Sequence, residues 1–234
     1  MRALSKIYRH GLVETYAIRN LSVKIRDGEF VTIAGVSGSG KTTFLNVVGL
    51  LDGFTQGAYF LANVDVSGLN DVKLAQLRNE NIGFIFQSCN LLPDLDVFDN
   101  CAMPLRYRRL DSIERKRRID RALGLVGISS LASRLPSELS GGQAQCAAIA
   151  RAMAGDPGLL LADEPTANLD PASAHRVLEV LYEINSKGTT IIVASHKSCP
   201  STQRYFFYSG LIAREIESDS TASVGAQPET EACY

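Results

Sequence analysis

Apolar residues recur along this chain at two periods. Short runs end abruptly in polar residues, and stretches with apolar positions three and four apart follow them. Phe30, Val31, Ile33 and Ala34 form one such run, and Phe44, Leu45, Val48 and Leu51 repeat at helical spacing beyond it. Residues 4–34 hold two or three strand-like runs, including 21–25 and 30–34, with a turn at Arg26-Asp27-Gly28-Glu29. Residues 57–66 alternate like a hairpin, and 81–86 read as a buried strand ending at Gln87. Two more apolar strands, 159–162 and 189–194, end at Asp163-Glu164 and at Ser195-His196. Helices are expected over 100–107, over 111–127 with Ile119, Leu123 and Val126 on one face, over 143–154, and from Pro171 to 187. Ser140 and Asp170 are the predicted N-caps of the last two, and Gly188 the stop.

Strands alternating with helices predict an α/β fold with a mainly parallel sheet. Residues 90–135 change to a helical lobe closed by Pro136, and residues 215–234 are polar, aperiodic and read as a disordered tail. Four strands end in polar residues, at the glycine loop, Gln87, Asp163-Glu164 and His196. Ligands of parallel sheets bind at the carboxyl ends of strands, so one site can collect all four.

Composition narrows the class. A chain of 234 residues suits one large domain or a domain with a lobe, and a net charge of −1 offers no global field for nucleic acid. The run Glu114-Arg115-Lys116-Arg117-Arg118 lacks interleaved aromatics and reads as a solvated helix face. Five cysteines without a Cys-x-x-Cys pair suit a reduced, cytosolic protein. The N-terminus has no apolar signal core, and no window approaches the roughly 20 apolar residues of a membrane span. Any work at a membrane is therefore expected through another chain.

The chemistry concentrates in Gly35-Val36-Ser37-Gly38-Ser39-Gly40-Lys41-Thr42, set between strand and helix. That context is a P-loop: its glycines let backbone N–H groups turn inward on a phosphate chain, and the helix N-terminus faces the same phosphates. Lys41 suits the β- and γ-phosphates and Thr42 a Mg²⁺ ion. Hydrolysis needs a metal, a group that activates water, and donors for the leaving charge. Asp163 suits the metal, Glu164 the general base, His196 the γ-phosphate, and Gln87 water or metal. Taken singly, His196 reads equally as a strand-end histidine and Gln87 as a loop residue. Tyr8, among Lys6, Arg9 and His10, suits a purine stack or, on composition alone, the cover of a sheet edge. His10 and His175 carry no assignment.

In the order Gly35–Thr42, Gln87, Leu139-Ser140-Gly141-Gly142-Gln143, 159–164, Asn168-Leu169-Asp170 and His196, the chain resembles the ATP-binding subunit of an ABC transporter. The resemblance covers about residues 6–212, and residues 83–100 resemble the subgroup of lipoprotein-release, macrolide-export and cell-division ATPases. It implies a P-loop NTPase core with an antiparallel β-subdomain and an inserted signature lobe at about 90–155, all within 1–214. It also implies ATP and Mg²⁺ bound by residues 35–42 and Thr43, Tyr8 stacking on adenine, and 166–170 with Asp170 linking two nucleotide sites. Two subunits then face each other, with Ser140, Gly141, Gly142 and Gln143 of one completing the site of the other. A membrane permease is expected near Gln87 to Asn100, with the chain peripheral at the cytoplasmic membrane. The alternatives are a soluble ABC ATPase acting on DNA or ribosomes, for which a coiled coil or a second cassette is lacking, and a module with impaired turnover.

Four departures bear on the last alternative. Cys146 stands where the family usually has arginine, and Lys197 where an acid is common. The segment from His196 to Gly210 is short, and only seven residues precede Tyr8, which predicts a curtailed first strand.

Overall fold

The computed structural model describes residues 1–11, 13–196, 201–208 and 210–215, with side chains described to 211. The expectations for Lys197, Cys199, Cys233 and the polar tail beyond 215 lie outside the described residues.

The chain opens with an antiparallel pair, β1 (Arg2–His10) and β2 (Val13–Leu21), joined on the other side of β1 by β4 (Gln56–Ala58). The run at 21–25 is not a strand, although Leu21 and Val23 are buried. The true strand lies just before it and was hidden because most of β2 is exposed, with only Ile18 and Leu21 fully buried. The first strand is nine residues long.

Between these strands the chain enters the main sheet through β3 (Phe30–Gly35) and leaves it by helix α1 (Lys41–Val48). The hairpin expected at 57–66 appears as β5 (Phe60–Leu61) and β6 (Val64–Asp65). Helix α2 (Asp71–Asn81) leads to β7 (Ile82–Ile85). The helical lobe follows with α3 (Val97–Ala102), a 3₁₀ turn at Met103–Tyr107, α4 (Ser112–Leu125) and α5 (Gly141–Met153). Helix α3 starts three residues earlier than predicted because Asp96 caps it, accepting the Asp99 N–H at 2.7 Å. Pro104, which has no N–H, coincides with the tightening to 3₁₀. Last come β8 (Leu159–Asp163), α6 (Pro171–Ser186), β9 (Thr190–Ala194), β10 (Gln203–Tyr208) and β11 (Leu211–Glu215).

The main sheet runs in the order β11-β10-β3-β9-β8-β7, with every pair parallel except β10–β11. Both faces are covered, which is why its strands read as nearly continuous apolar runs. Phe30, Leu160, Ile191 and Val193 face one cluster with α4, α5 and α6, whereas Val31, Ile33, Leu161 and Ile192 face another with Phe44 and Val48 of α1. The parallel registers Phe207↔Gly35, Ile33↔Ala194 and Asp163↔Ala194 bring the carboxyl ends of β10, β3, β9 and β8 level. The α/β fold with parallel core, antiparallel sheet and helical lobe is thus the one expected.

Candidate active site

Gly35 and Gly40 are fixed by close approach. A Cβ on Gly35 (φ +147) would lie 2.4 Å from the Phe207 carbonyl oxygen, and one on Gly40 (φ +109) 2.4 Å from that of Ala17. No side chain caps α1, so its first-turn N–H groups stay available to a ligand. Lys41 is 7% exposed and its ammonium donates to the carbonyls of Gly35 (2.7 Å) and Val36 (3.0 Å), inside the loop.

Across from it, the Thr42 hydroxyl donates to Asp163 Oδ2 at 2.9 Å. Two oxygen donors side by side fit a hard cation such as Mg²⁺, which takes few protein ligands and completes its shell with phosphate and water. Among the described residues no group of three or more His, Cys, Asp or Glu forms a closed metal cage. Glu164, next along the chain, has φ +48, a left-handed backbone unusual for a side chain of its size. Its N–H donates to the Ala194 carbonyl at 2.9 Å, which pins it to the end of β9. Its carboxylate Oε1 sits 3.1 Å from His196 Nε2. Strain at one residue, held by a neighbouring strand, is the kind of feature found at reacting centres.

These groups line one cleft of about 590 Å³, which holds Ser37, Gly38, Lys41, Thr42, Thr43, Gln87, Asp163, Glu164 and His196. The expected convergence of four strand ends is therefore present. The lining of the same cleft also includes Tyr16, Ala17 and Arg19 of β2, for which the sequence suggested no role. Tyr16 is one more aromatic in a polar strand, and nothing in its neighbours marks it.

Tyr8 has other partners. Its hydroxyl donates to Asp52 Oδ2 at 2.8 Å, and the Lys6 ammonium lies 4.9 Å from its ring centroid. Tyr8 is not among the residues that line the cleft. Burial and the bond to Asp52 raise its pKa. Burial acts to raise the Asp52 pKa, but hydrogen bonds from Lys6 and Tyr8 outweigh it and hold the carboxyl below its ordinary value.

Ser140, Gly141, Gly142 and Gln143 also lie outside the cleft, at the N-terminus of α5. Ser140 Oγ accepts the Gln143 N–H at 3.3 Å, and Gln143 Oε1 accepts the Ser140 N–H at 2.9 Å, a reciprocal capping box. A Cβ on Gly142 would meet Ser173 Oγ at 2.7 Å, so glycine lets α5 close on α6. Asp170 caps α6, accepting the N–H groups of Ala172 and Ser173 at 3.0 Å each, and does not reach the cleft. Bonds from the Ser173 side chain and backbone lower its pKa.

Cys146, in place of arginine, is 6% exposed within the core of the helical lobe. Glu114 bridges Arg117 and Arg118 at 2.7 Å each, which pulls its pKa down to about 2; within the basic run Lys116 and Arg117 are exposed, whereas Arg115 and Arg118 are half-buried. A second cleft, of about 1180 Å³, separates lobe from sheet and is lined by Leu51, Phe84, Phe86, Tyr107, Arg108 and Arg151 among others. Asn100, at the end of the segment expected to meet a permease, is fully buried, where its amide donates to the carbonyls of Leu92, Leu95 and Asp96.

The family model "ABC transporter" matches residues 18–167, more than half of the chain. The chain belongs to the ABC transporter ATP-binding family. It is 43% identical over 180 residues to the lipoprotein-releasing system ATP-binding protein LolD of Aquifex aeolicus, covering 77% of this chain and 80% of that one. It is 40% identical over 198 residues to the macrolide export ATP-binding/permease protein MacB of Wolinella succinogenes, covering 85% of this chain and 31% of that longer one. A Methanocaldococcus jannaschii ATP-binding cassette, solved as a dimer in a post-hydrolysis state with ADP and Pi, superposes with a TM-score of 0.82 at 34% identity. That match covers 91% of this chain and 97% of the cassette. This ABC chain is an ATP-binding, ATP-hydrolysing subunit. No helix among its described residues is long and apolar enough to cross a membrane.

Proposed function

We propose that this ABC subunit drives a separate membrane permease, in the manner of the lipoprotein-release and macrolide-export systems, by closing as a dimer around two ATP. The observation that carries this reading is a division of labour. The groups assigned to phosphate and to water share one cleft, while the capped N-terminus of α5 stands outside it with Ser140, Gly141 and Gln143 exposed or partly exposed. A second helix N-terminus is a second anion site, useful to a γ-phosphate only when offered by another copy.

In this reading Gly35 to Thr43 cradle the phosphates, and Lys41 turns its ammonium from the loop carbonyls to the β- and γ-oxygens. Thr42 and Asp163 would hold Mg²⁺, with Gln87 beside them, and the bound ion would supply charge neutralisation to the phosphates. Glu164 takes the proton from the attacking water, and His196, 3.1 Å from it, holds the γ-phosphate end. Ser140 to Gln143 of the partner copy close the site, and Asp170 keeps α6 and the 166–170 loop in place between the two sites. The unit is residues 1–214, with 90–155 as the lobe. The permease docks near Gln87 to Asn100, which brings the chain to the cytoplasmic membrane surface.

Size-exclusion chromatography with light scattering tests this. With ATP, Glu164→Gln is expected as a dimer and the ATP-free protein as a monomer; a monomer throughout contradicts the ATP-closed pair.

A further inference from the structure

The turn from Arg106 to Leu110 and helix α4 carry a charge that ATP binding and hydrolysis do not use. Between Arg106 and Arg121 the chain has eight arginines and lysines against three acids, a surplus of five in a chain of net charge −1. Two contacts make this stretch one surface. The Arg108 guanidinium donates to the carbonyls of Asn79 and Gly155, which seats the turn against the end of α5. Arg121 of α4 pairs with Asp156, the residue after Gly155, at 3.0 Å. Turn and helix are thus pinned to the same corner of the lobe.

On the outside of that corner the basic groups stand free or loosely paired. Arg106 and Arg109 are exposed and form no ion pair among the described residues. On α4, Ile113, Lys116, Arg117 and Asp120 follow at helical spacing, on a stripe clear of the buried Ile119 and Leu123. Lys116 pairs with Asp120 and Arg117 with Glu114, but exposed pairs are weak in water and leave the cations able to change partners. Tyr107, between Arg106 and Arg109, and Ile113, one turn before Lys116, are 83% and 80% exposed. They are the two most exposed large apolar side chains among the described residues.

We infer that this face of the lobe lies directly on anionic phospholipid headgroups, with Tyr107 and Ile113 entering the interface. Cations around a few apolar side chains are the composition of a surface that rests on a membrane. The cations follow the negative surface potential, and the apolar groups bury at the headgroup–acyl boundary. A nucleic acid is a poorer fit, since Ile113 has no π face to stack on a base. Tyr107, Arg108 and Arg109 line the same cleft as Asn90, which lies in the segment proposed to meet the permease. The orientation toward the bilayer therefore rests on that reading. The affinity for lipid does not, and it should be found without any permease.

Co-sedimentation of the full chain with vesicles, at about 0.1 M salt, tests this. The wild type should bind vesicles of mixed phosphatidylglycerol and phosphatidylcholine, bind phosphatidylcholine alone far less, and be released at about 1 M salt, where charges are screened. Arg106→Gln/Arg109→Gln should bind the anionic vesicles roughly 25-fold more weakly, at about fivefold for each cation near such a surface. Lys24→Gln/Arg26→Gln removes the same charge from an exposed loop before β3 and should bind like the wild type. Tyr107→Ser should bind more weakly at unchanged charge. No binding to the anionic vesicles overturns the inference, and so does an equal loss in the two charge variants. Binding to a DNA duplex but not to the vesicles would assign the face to nucleic acid instead. Loss of the ATP-closed dimer in the test above would remove the permease reading and leave the vesicle result standing.

Discussion

His196 Nε2 lies 3.1 Å from Glu164 Oε1, and the His196 backbone N–H reaches the other carboxylate oxygen at 3.4 Å. Two strands, β8 and β9, meet in this contact. It ties the proposed general base to the residue proposed to face the γ-phosphate.

Glu164→Gln keeps the shape and the bond to His196 but cannot take a proton. Its ATP affinity should match the wild type while hydrolysis falls by roughly 10²-fold or more, the scale of a general base. Phosphate release alongside equilibrium binding checks both halves. Unchanged turnover would remove Glu164 from its role.

Lys41→Ala deletes the cation inside the loop. Ligand at 100 times its Kd stabilises a protein by about 2.7 kcal/mol, so the wild type should show an ATP-dependent rise in Tm. That rise should vanish in the variant. A shift that survived would contradict the phosphate assignment.

Cys89 (φ +54) and Asn90 (φ +50), two residues beyond Gln87, are consecutive left-handed residues without glycine. Arg151 of α5 holds them, donating to the carbonyls of Cys89 (2.6 Å) and Asn90 (2.5 Å), and the Cys89 thiol donates to Gln145 Oε1 at 2.7 Å. Losing a charged donor to two carbonyls costs about 2 kcal/mol. Arg151→Ala should therefore lower stability to urea by that amount and slow turnover, with ATP affinity retained. A loss of affinity equal to the loss of turnover would place Arg151 in binding instead.

The depressed pKa of Asp52 has a defined sign. A carboxyl whose folded pKa is lowered contributes stability in full above the unfolded value, near 4, and loses it as pH falls through the folded value. Wild type should therefore lose stability more steeply than Asp52→Asn below about pH 4. The partly exposed pair with Lys6 limits the difference to about 1 kcal/mol. Parallel acid limbs in thermal melts would show that the Lys6–Asp52–Tyr8 cluster contributes nothing.

The meeting of the glycine loop with the polar strand ends was legible in the sequence because particular residues recur there at particular steps. Gly35 and Gly40 answer to a backbone contact, Thr42 and Asp163 to a hydrogen bond across the cleft, and Ser140 and Gln143 to a capping box. The surroundings of Tyr8 were less so: in sequence it stands among basic residues, and only the fold brings Asp52 to its hydroxyl. Strand β2 itself escaped notice for a related reason: most of its side chains are exposed, so no alternation betrays it.

The central claim is that each ATP site is shared between two copies, and complementation of two inactive variants tests it most directly. Lys41→Ala disables the P-loop and keeps the signature. Ser140→Asp keeps a good N-cap for α5 and sets a carboxylate against the γ-phosphate of the other copy. Each variant alone should be inactive. Mixed in equal amounts, they form some dimers in which the intact loop of one copy faces the intact signature of the other. Activity should then return to about a quarter of wild type, since half of the symmetric pairs are mixed and each has one working site. A mixture as inactive as its parts would contradict the shared site.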